Sequence, residues 1–197
     1  MLVQIGLVVM ASGRGERFGA DKLMADFCGK PLVACAMDAI PEGIARATVV
    51  TRSERVAELA RARDLPVILH ALPDISDTVR LGIRAMAGMD GCFFLVADQP
   101  ALRRATLERM MAAFCEDPTR IVRAAFGGAP GNPVLFPAAL FDELARLSPG
   151  EGGAQVARRH AALIRSVEAG DARELADVDT SEALKALAAD VHGRGSA

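Results

Sequence analysis

Short aliphatic runs that alternate with helix-like segments are the feature that most restricts the fold of this 197-residue chain. The runs predicted to be strands are Leu2 to Met10, Ala47 to Thr51, Pro66 to Leu69, Cys92 to Val96, Ile121 to Ala125 and Ala162 to Val167. A run such as Phe93 to Val96 is apolar at every position, so both of its faces need cover, which helices on the two sides of a parallel sheet provide. We therefore predict an α/β fold in three layers, α/β/α, with a mostly parallel central sheet.

The segments between these runs have the spacing of helices and turns. Apolar residues recur at helical intervals within residues 103–115 and 55–63, so each segment is predicted to place one helix face on the sheet. The glycine cluster Gly150 to Gly153 is predicted to open a helix over Ala154 to His160. Residues 126–136 combine turn-forming residues with a short strand, which predicts a hairpin or lid beside the sheet.

The composition is that of a globular protein and argues against several classes of function. Hydrophobic residues make up 51% and charged residues 24%, and a net charge of −2 gives no general attraction for nucleic acid. No apolar run reaches the roughly 18 residues that cross a bilayer, and a first strand at Leu2 leaves no room for a secretion signal, so we expect a cytoplasmic protein without membrane contact. The four cysteines are widely spaced, which predicts neither a zinc site nor a disulfide. We expect one domain over residues 1–191 and a disordered tail over residues 192–197.

A glycine-rich loop with three basic residues follows the first predicted strand. Its glycines lack a Cβ atom, so the backbone N–H groups of residues 11–15 can approach phosphate oxygens, while Arg14, Arg17 and Lys22 supply positive charge. The loop lacks the spacing of a dinucleotide-binding motif, and Lys22 is not followed by the Ser or Thr of a P-loop. We predict that this loop binds a triphosphate in another way.

Asp98 directly follows the predicted strand that ends at Val96 and Ala97. Ligands of parallel sheets bind at the carboxyl ends of the strands, so this carboxylate is expected to face the glycine loop. A magnesium ion, which takes oxygen ligands and often binds one or two carboxylates together with substrate phosphates, is the predicted partner. The alternative is that Asp98 caps the helix that follows.

The spacing A-x-G-x-x-x-R-x-G-x-x-K from Ala11 to Lys22 resembles the signature of the molybdopterin nucleotidyltransferases. Four further motifs follow in order: Val96 to Pro100, Gly131 to Phe136, Gly150 to Ala154 and Asp177 to Thr180. With them the chain is similar along nearly its whole length to the molybdenum cofactor cytidylyltransferase family. This resemblance implies a Rossmann-like nucleotidyltransferase fold of the glycosyltransferase-A type and Mg²⁺-dependent transfer of CMP from CTP to molybdopterin, with release of pyrophosphate. The sister guanylyltransferases typically have Asp-Met-Pro where this chain has Asp98, Gln99 and Pro100, which favours CTP over GTP.

The resemblance also implies roles for individual residues. The implied catalytic residues are Lys22, Asp98 and Arg17, and the implied metal ligands are Asp98 and Asp179. The implied nucleotide-binding residues are Ala11, Ser12, Gly13, Arg14, Gly15, Lys22, Thr51 and Asp74, and those on the acceptor side are Asn132, Gly152 and Gly153. An N-cap of the final helix is the alternative for Asp179.

The chain departs from the family pattern within the loop, where Ser12 replaces a more usual Ala or Gly, Gly15 replaces Ser and Phe18 replaces Met. Arg103, Arg104 and the run Arg158 to His160 are open to two interpretations, an anion site or surface charge. His70 and His192 have no metal-ligand spacing and receive no role.

In the predicted reaction the acceptor phosphate attacks the α-phosphorus of the nucleotide, and Lys22 and Arg17 offset the charge of the leaving pyrophosphate. The acceptor is already an anion, so no general base is required. The alternatives are a GTP-dependent guanylyltransferase, a cytidylyltransferase for another phosphorylated metabolite, and a non-catalytic carrier of a nucleotide or cofactor. A molybdenum hydroxylase is the expected recipient of the product.

Overall fold

The computed structural model describes residues 2–13, 15, 18 and 21–194. The strands are β1 (Ile5–Ala11), β2 (Asp26–Phe27), β3 (Lys30–Pro31), β4 (Arg46–Thr51), β5 (Val67–Leu69), β6 (Gly91–Val96), β7 (Ile121–Phe126), β8 (Ala129–Pro137) and β9 (Ile164–Glu168). The helices are α1 (Leu32–Asp38), α2 (Glu54–Arg61), α3 (Ile75–Ala85), α4 (Arg104–Glu116), α5 (Phe141–Leu144), α6 (Gly153–Arg159) and α7 (Ser181–Arg194).

The central sheet has seven strands in the order β5-β4-β1-β6-β8-β7-β9. Six of these strands take part in parallel pairs: β1 pairs with β4 and with β6, β4 pairs with β5, and β7 pairs with β9. Only β8 runs against its neighbours, pairing antiparallel with β6 and β7. The predicted α/β fold with a mostly parallel sheet is therefore confirmed.

Each face of the sheet carries its own apolar cluster, which is why its strands are apolar at successive positions. Leu7, Val9, Phe93 and Leu95 pack on one side with apolar residues of α1, α2 and α4. On the other side the cluster combines Val8, Phe94 and residues of α3, α5 and α6. The helices thus cover both faces, as the uninterrupted aliphatic strands predict.

The C-terminal helix α7 packs away from the main sheet. Its Leu184 joins Val178 in a third cluster with Phe27, Leu32 and Cys35 of the segment around β2, β3 and α1. This packing holds residues 177–180, which precede α7, beside the segment that contains Lys22. No helix in the part of the chain that the structure describes has the length and apolar character needed to cross a membrane.

Three predictions of local structure need correction. The hairpin of β7 and β8 is built into the sheet rather than placed beside it, because residues 134–137 of β8 pair with β6. Strand β8 is also longer than the predicted segment Val134 to Phe136. The predicted tail is partly wrong, since α7 continues through Arg194, while residues 195–197 lie outside the described part of the chain.

Candidate active site

A cavity of about 340 Å³ opens at the carboxyl ends of β1, β4 and β6. Its lining comes from five segments of the chain. They are Met10, Ser12, Gly13 and Gly15 at the end of β1 and after it, Lys22 and Leu23, Arg52 after β4, Pro73, Asp74, Ile75 and Thr78 at the start of α3, and Val96, Ala97 and Asp98 at the end of β6 and after it. The glycine loop and the Asp98 turn therefore meet in one cleft, as the sheet topology requires.

Lys22 lies between two carboxylates at one end of this cavity. Its Nζ atom is 2.8 Å from Oδ2 of Asp98 and 2.9 Å from Oδ1 of Asp179. Burial by itself would lower the pKa of Lys22, but the hydrogen bonds to the two carboxylates and their charges outweigh burial and raise the pKa. The ammonium group consequently stays charged, and the three residues form one ionic cluster.

A buried glutamine attaches the Asp179 segment to the Asp98 turn. Nε2 of Gln99 donates to the carbonyl of Leu175 at 3.1 Å and to Oδ1 of Asp177 at 2.9 Å. The backbone N–H of Val178 donates to the carbonyl of Asp98 at 2.9 Å. These three bonds join residues 175–178 to residues 98 and 99, and they fix the position of Asp179 relative to Asp98.

Asp177 is a third carboxylate in this region, which the sequence analysis left without a role. Burial, and then the negative charge of Asp98, raise its pKa above the ordinary value. Its bond from Gln99 partly offsets that rise. Asp177 therefore serves the attachment of the segment, while Asp98 and Asp179 face Lys22.

Neither carboxylate is used as a helix cap. Oγ1 of Thr180 accepts the N–H of Ala183 at 3.1 Å, so Thr180 caps α7 and the alternative interpretation of Asp179 is wrong. The residue at the N-cap of α4 is Arg103, so Asp98 does not cap the helix that follows it. Both side chains remain directed to the lysine.

The start of the glycine loop is fixed to the ends of the neighbouring strands. The hydroxyl of Ser12 lies 3.2 Å from the carbonyl of Val50 and 2.9 Å from Nε2 of His70. The guanidinium of Arg52 donates to the carbonyl of Ser12 and, at 3.3 Å, to the carbonyl of Pro73. Thr51 is fully buried and donates to the carbonyl of Ala11 at 2.9 Å, so its side chain supports the loop from below.

The wall opposite the loop is the first turn of α3. The carboxylate of Asp77 accepts the N–H of Asp74 at 3.0 Å and pairs with Arg80, and the backbone bond is the main reason that the pKa of Asp77 is lowered. Asp74 and Ile75 line the cavity directly. The hydroxyl of Thr78 also belongs to this wall and is buried without a hydrogen-bond partner among the described residues.

The residues predicted for the acceptor side, Asn132, Gly152 and Gly153, are not among those that line the cavity, and of the three Gly152 packs near a lining residue, Ile75. A Cβ atom on Gly152 would be 3.6 Å from Ile75, and one on Gly153 would be 3.2 Å from Phe136. The peptide between Asn132 and Pro133 is cis. Nearby, Nε of Arg123 donates to the carbonyl of Gly131 at 3.0 Å.

The run Arg158 to His160 was open to two interpretations, an anion site or surface charge, and its residues have different surroundings in the structure. Arg159 pairs with Glu143 at 2.7 Å, and His160 contacts the same carboxylate at 2.7 Å. Burial, and then the charge of Arg158, lower the pKa of Arg123. Arg158 thus lies close enough to Arg123 to act on it electrostatically, whereas Arg159 and His160 form ion pairs with Glu143.

Two predicted phosphate ligands, Arg14 and Arg17, lie outside the described residues. Across the described ranges, no group of three or more His, Cys, Asp or Glu side chains could hold a metal ion. The sequence analysis missed Arg52, His70 and Thr78, and only the position of Arg52 directly after a strand gave a signal that could have identified it.

The fold is shared with solved structures of other proteins, one of which is a nucleotidyl transferase. The structure of Rv0371c from Mycobacterium tuberculosis superposes with a TM-score of 0.80 at 22% identity, covering 96% of this chain and 99% of that one. A nucleotidyl transferase from Methanothermobacter, Mth528, gives a TM-score of 0.82 at 23% identity, with 97% and 99% covered. The CMP:2-keto-3-deoxy-manno-octonic acid synthetase in complex with CTP gives 0.73 at 14% identity, with 98% and 100% covered.

The sequence defines the family of the chain. Residues 7–165 match the model of the MobA-like NTP transferase domain, and the chain belongs to that family. No curated protein matches the sequence significantly. The structural likenesses lie below 25% identity and concern the fold, while the family match covers most of the chain and includes the glycine loop and Asp98.

Proposed function

We propose that this protein is a Mg²⁺-dependent cytidylyltransferase that transfers CMP from CTP to molybdopterin and releases pyrophosphate. The observation that carries the proposal is the cluster of Lys22, Asp98 and Asp179 beside the glycine loop. The cluster combines a lysine ammonium group that can bind phosphate with two carboxylates that can bind a metal ion. Membership of the MobA-like family supports the same chemistry.

The residues present suit a magnesium ion. Asp98 and Asp179 converge on one ammonium group, so a cation already fits between their oxygens, and carboxylate oxygens are the ligands that Mg²⁺ prefers. Their side chains are 28% and 55% exposed, which leaves room for water and substrate phosphates as further ligands. One structure of Rv0371c, a protein of similar fold, contains manganese. Bound Mg²⁺ would neutralise phosphate charge and polarise the α-phosphate of the nucleotide.

The protein groups would bind and orient the triphosphate. Backbone N–H groups of Ala11 to Gly13 and Gly15, together with Arg14 and Arg17, are the proposed phosphate ligands. Lys22 would leave the carboxylates and contact the phosphates that depart as pyrophosphate. A phosphate oxygen of the acceptor would attack the α-phosphorus as the bond to pyrophosphate breaks, so that atoms and charge balance without a general base.

The wall formed by α3 is the proposed place of the base and ribose. Thr78 lines the cavity together with Met10 and Ile75, and its buried hydroxyl has no hydrogen-bond partner among the described residues. A buried hydroxyl without a partner costs free energy that a ligand can recover by hydrogen bonding to it. Asp74 is the proposed ribose ligand, while Thr51 would act through the carbonyl of Ala11 that it binds.

The acceptor would approach from the side of Asn132, Gly152 and Gly153. Arg158 and Arg123 place positive charge there, which favours a phosphorylated acceptor such as molybdopterin. A molybdenum hydroxylase in the cytoplasm remains the proposed recipient of the product.

GTP is the second candidate nucleotide, because Gln99 is buried behind the carboxylates and is absent from the cavity lining. Any influence of the Asp-Gln-Pro motif on base choice would therefore be indirect. We keep the non-catalytic carrier as the third candidate, which differs in releasing no pyrophosphate.

The test is calorimetric binding of CTP and GTP with Mg²⁺ to the wild type and to Asp98→Asn. We expect CTP to bind at least tenfold more tightly than GTP, about 1.4 kcal/mol, and Asp98→Asn to lose about tenfold in affinity. Asp142→Asn, which removes a carboxylate that is 88% exposed and far from the cavity lining, is the matched control and should bind as the wild type does. Pyrophosphate release on addition of molybdopterin would then separate the enzyme from the carrier.

A preference for GTP would move the assignment to the guanylyl branch. Binding without pyrophosphate release would favour the carrier, and equal binding by the wild type and Asp98→Asn would contradict the metal site.

A further inference from the structure

His70 connects the glycine loop to the segment that leads into α3. Its backbone N–H donates to the carbonyl of Thr51 at 3.0 Å, so the residue is tied to the end of β4. Its ring lies with Nε2 at 2.9 Å from Oγ of Ser12 and Nδ1 at 3.2 Å from the N–H of Leu72. One side chain thus contacts both the loop after β1 and the chain that forms the opposite wall.

These contacts determine where the proton on the imidazole lies. The backbone N–H of Leu72 can only donate, so Nδ1 must accept and carry no proton. The neutral ring then has its proton on Nε2 and donates to Oγ of Ser12. The Ser12 hydroxyl in turn donates its own proton to the carbonyl of Val50 at 3.2 Å, so each hydrogen in this chain of bonds has one acceptor.

The bonds act on the part of the loop that lines the cavity. Ser12 and Gly13 both belong to the lining, while the side chain of Ser12 is turned away to Val50 and His70. Arg52 holds the carbonyl of the same residue, so Ser12 is fixed through its side chain and its backbone. The backbone N–H groups of the loop thereby keep one orientation before any ligand arrives.

We propose that His70 is a positioning residue of the nucleotide site, whose neutral imidazole orients Ser12 and with it the loop backbone of residues 11–13 toward the triphosphate. The role of these residues in nucleotide binding rests on the proposed function. His70 is not itself a lining residue of the cavity, and it acts through Ser12, which is.

The proposal makes the loop sensitive to pH. Burial, and then the charge of Arg52 after β4, lower the pKa of His70, while Asp77 of α3 acts in the opposite direction. Because the pKa of His70 in the folded protein lies below the ordinary value of 6.5, the neutral ring with its bonds predominates at pH 6.5 and above. As the pH falls through the lowered pKa, Nδ1 gains a proton and loses its bond from the N–H of Leu72. Nε2 still carries its proton, but the two donors that now face each other at Nδ1 repel and displace the ring from Ser12, which the neutral amide of His70→Gln does not do.

Two matched substitutions separate the two ring nitrogens. His70→Gln retains a donor near the place of Nε2 and loses the acceptor for Leu72, whereas His70→Asn retains that acceptor and cannot reach Ser12. We expect His70→Gln to bind CTP within about twofold of the wild type, and His70→Asn to bind about tenfold more weakly. Ser12→Ala should weaken binding similarly, and the double variant with His70→Asn should be no weaker than Ser12→Ala alone.

Two further readouts distinguish positioning from general stability. Hydrogen exchange of the amides of residues 11–13 should rise in His70→Asn at an unchanged melting temperature and stay low in His70→Gln. The affinity of the wild type for CTP should fall below pH 6.5 more steeply than that of His70→Gln.

Equal hydrogen exchange of residues 11–13 in His70→Asn and His70→Gln would overturn the proposal, whatever the affinities of these variants for CTP. Faster exchange in His70→Asn with no CTP or GTP binding by the wild type would instead support the positioning and refute the proposed function.

Discussion

At the scale of single residues, Lys22 has the surroundings that most define this site. It is 9% exposed, and its ammonium holds together two carboxylates that would otherwise repel each other. Under the proposed function Lys22 has two roles that it cannot fulfil at the same time. It fills the cation position between Asp98 and Asp179 in the free protein, and it can contact phosphate only after leaving that position.

Replacing Lys22 by Met should therefore change metal and nucleotide binding in opposite directions. Without the competing ammonium, Mn²⁺ should bind the nucleotide-free protein on the order of tenfold more tightly, because the two carboxylates then lack a cation. CTP should bind about tenfold more weakly, because a charged phosphate ligand is lost. Electron paramagnetic resonance of Mn²⁺ and calorimetry with CTP measure the two effects.

The exposed pair of Lys30 and Asp38, whose Nζ and Oδ2 atoms are 2.6 Å apart, lies outside the cavity lining. Lys30→Met is therefore the control, because it also removes a lysine from a carboxylate. Weaker binding of both metal and nucleotide by Lys22→Met would show that the lysine supports the carboxylates rather than competing with a metal.

At the scale of elements, the segment between β9 and α7 determines where Asp179 lies. Glu174 is 1% exposed, and its carboxylate accepts the N–H groups of Arg103 at 3.2 Å and Gly170 at 3.0 Å. Gln99 and the backbone of Asp98 complete the attachment. The segment is thus bonded to the Asp98 turn and to the start of α4, and the spacing of the two carboxylates depends on it.

Gln99→Met tests two things together: the attachment of the segment before α7 to the Asp98 turn, and the predicted effect of Gln99 on the choice between CTP and GTP. The substitution removes the donor to Leu175 and Asp177, and unpartnered buried groups of this kind cost about 1–3 kcal/mol of unfolding free energy. We expect CTP and GTP affinities to fall by the same factor, because Asp179 is displaced and neither base touches residue 99. Calorimetry with both nucleotides and chemical denaturation measure the two effects.

Gln4→Met, on the exposed approach to β1, should leave both properties unchanged. A switch from CTP to GTP in Gln99→Met would instead assign the glutamine a direct part in base selection.

At the scale of the whole molecule, the site depends on how closely α3 packs on the sheet. A Cβ atom at Gly82 would lie 2.7 Å from Cγ1 of Val8, so only glycine allows the helix to approach β1 this closely. The same helix supplies Asp74, Ile75 and Thr78 to the cavity wall. The width of the cavity is therefore set by packing in the middle of the helix.

Two glycine substitutions should separate fold from function. Gly82→Ala should destabilise the protein by about 1–2 kcal/mol, because overpacking against buried Val8 outweighs the gain in helix propensity. Gly13→Ala meets nothing within 4 Å, so its stability should equal that of the wild type while CTP affinity falls, since the new methyl group occupies the space for phosphate. Thermal unfolding and calorimetry on both variants provide the measurements, and a destabilised Gly13→Ala would contradict the assignment.

Sequence reasoning predicted the sheet, its helices and the meeting of the glycine loop with Asp98, because these follow from local patterns and from the geometry of parallel strands. It failed where contacts join distant segments. The bond between Ser12 and His70 spans 58 residues, and that between Gln99 and Asp177 spans 78. A histidine without metal-ligand spacing gives no local sign that its ring will meet a serine of the loop.

The sequence by itself determined the chemistry available to this protein: a strand, a glycine loop with basic residues, a carboxylate after a buried strand and a second one before the last helix. The tertiary structure decided how these groups are combined, placing Lys22 between Asp98 and an aspartate 157 residues further along the chain. The physical reason is that residue type and periodicity fix local conformation. The partner of a charged or polar side chain is fixed only when burial brings distant segments together and each buried group must find its hydrogen bond.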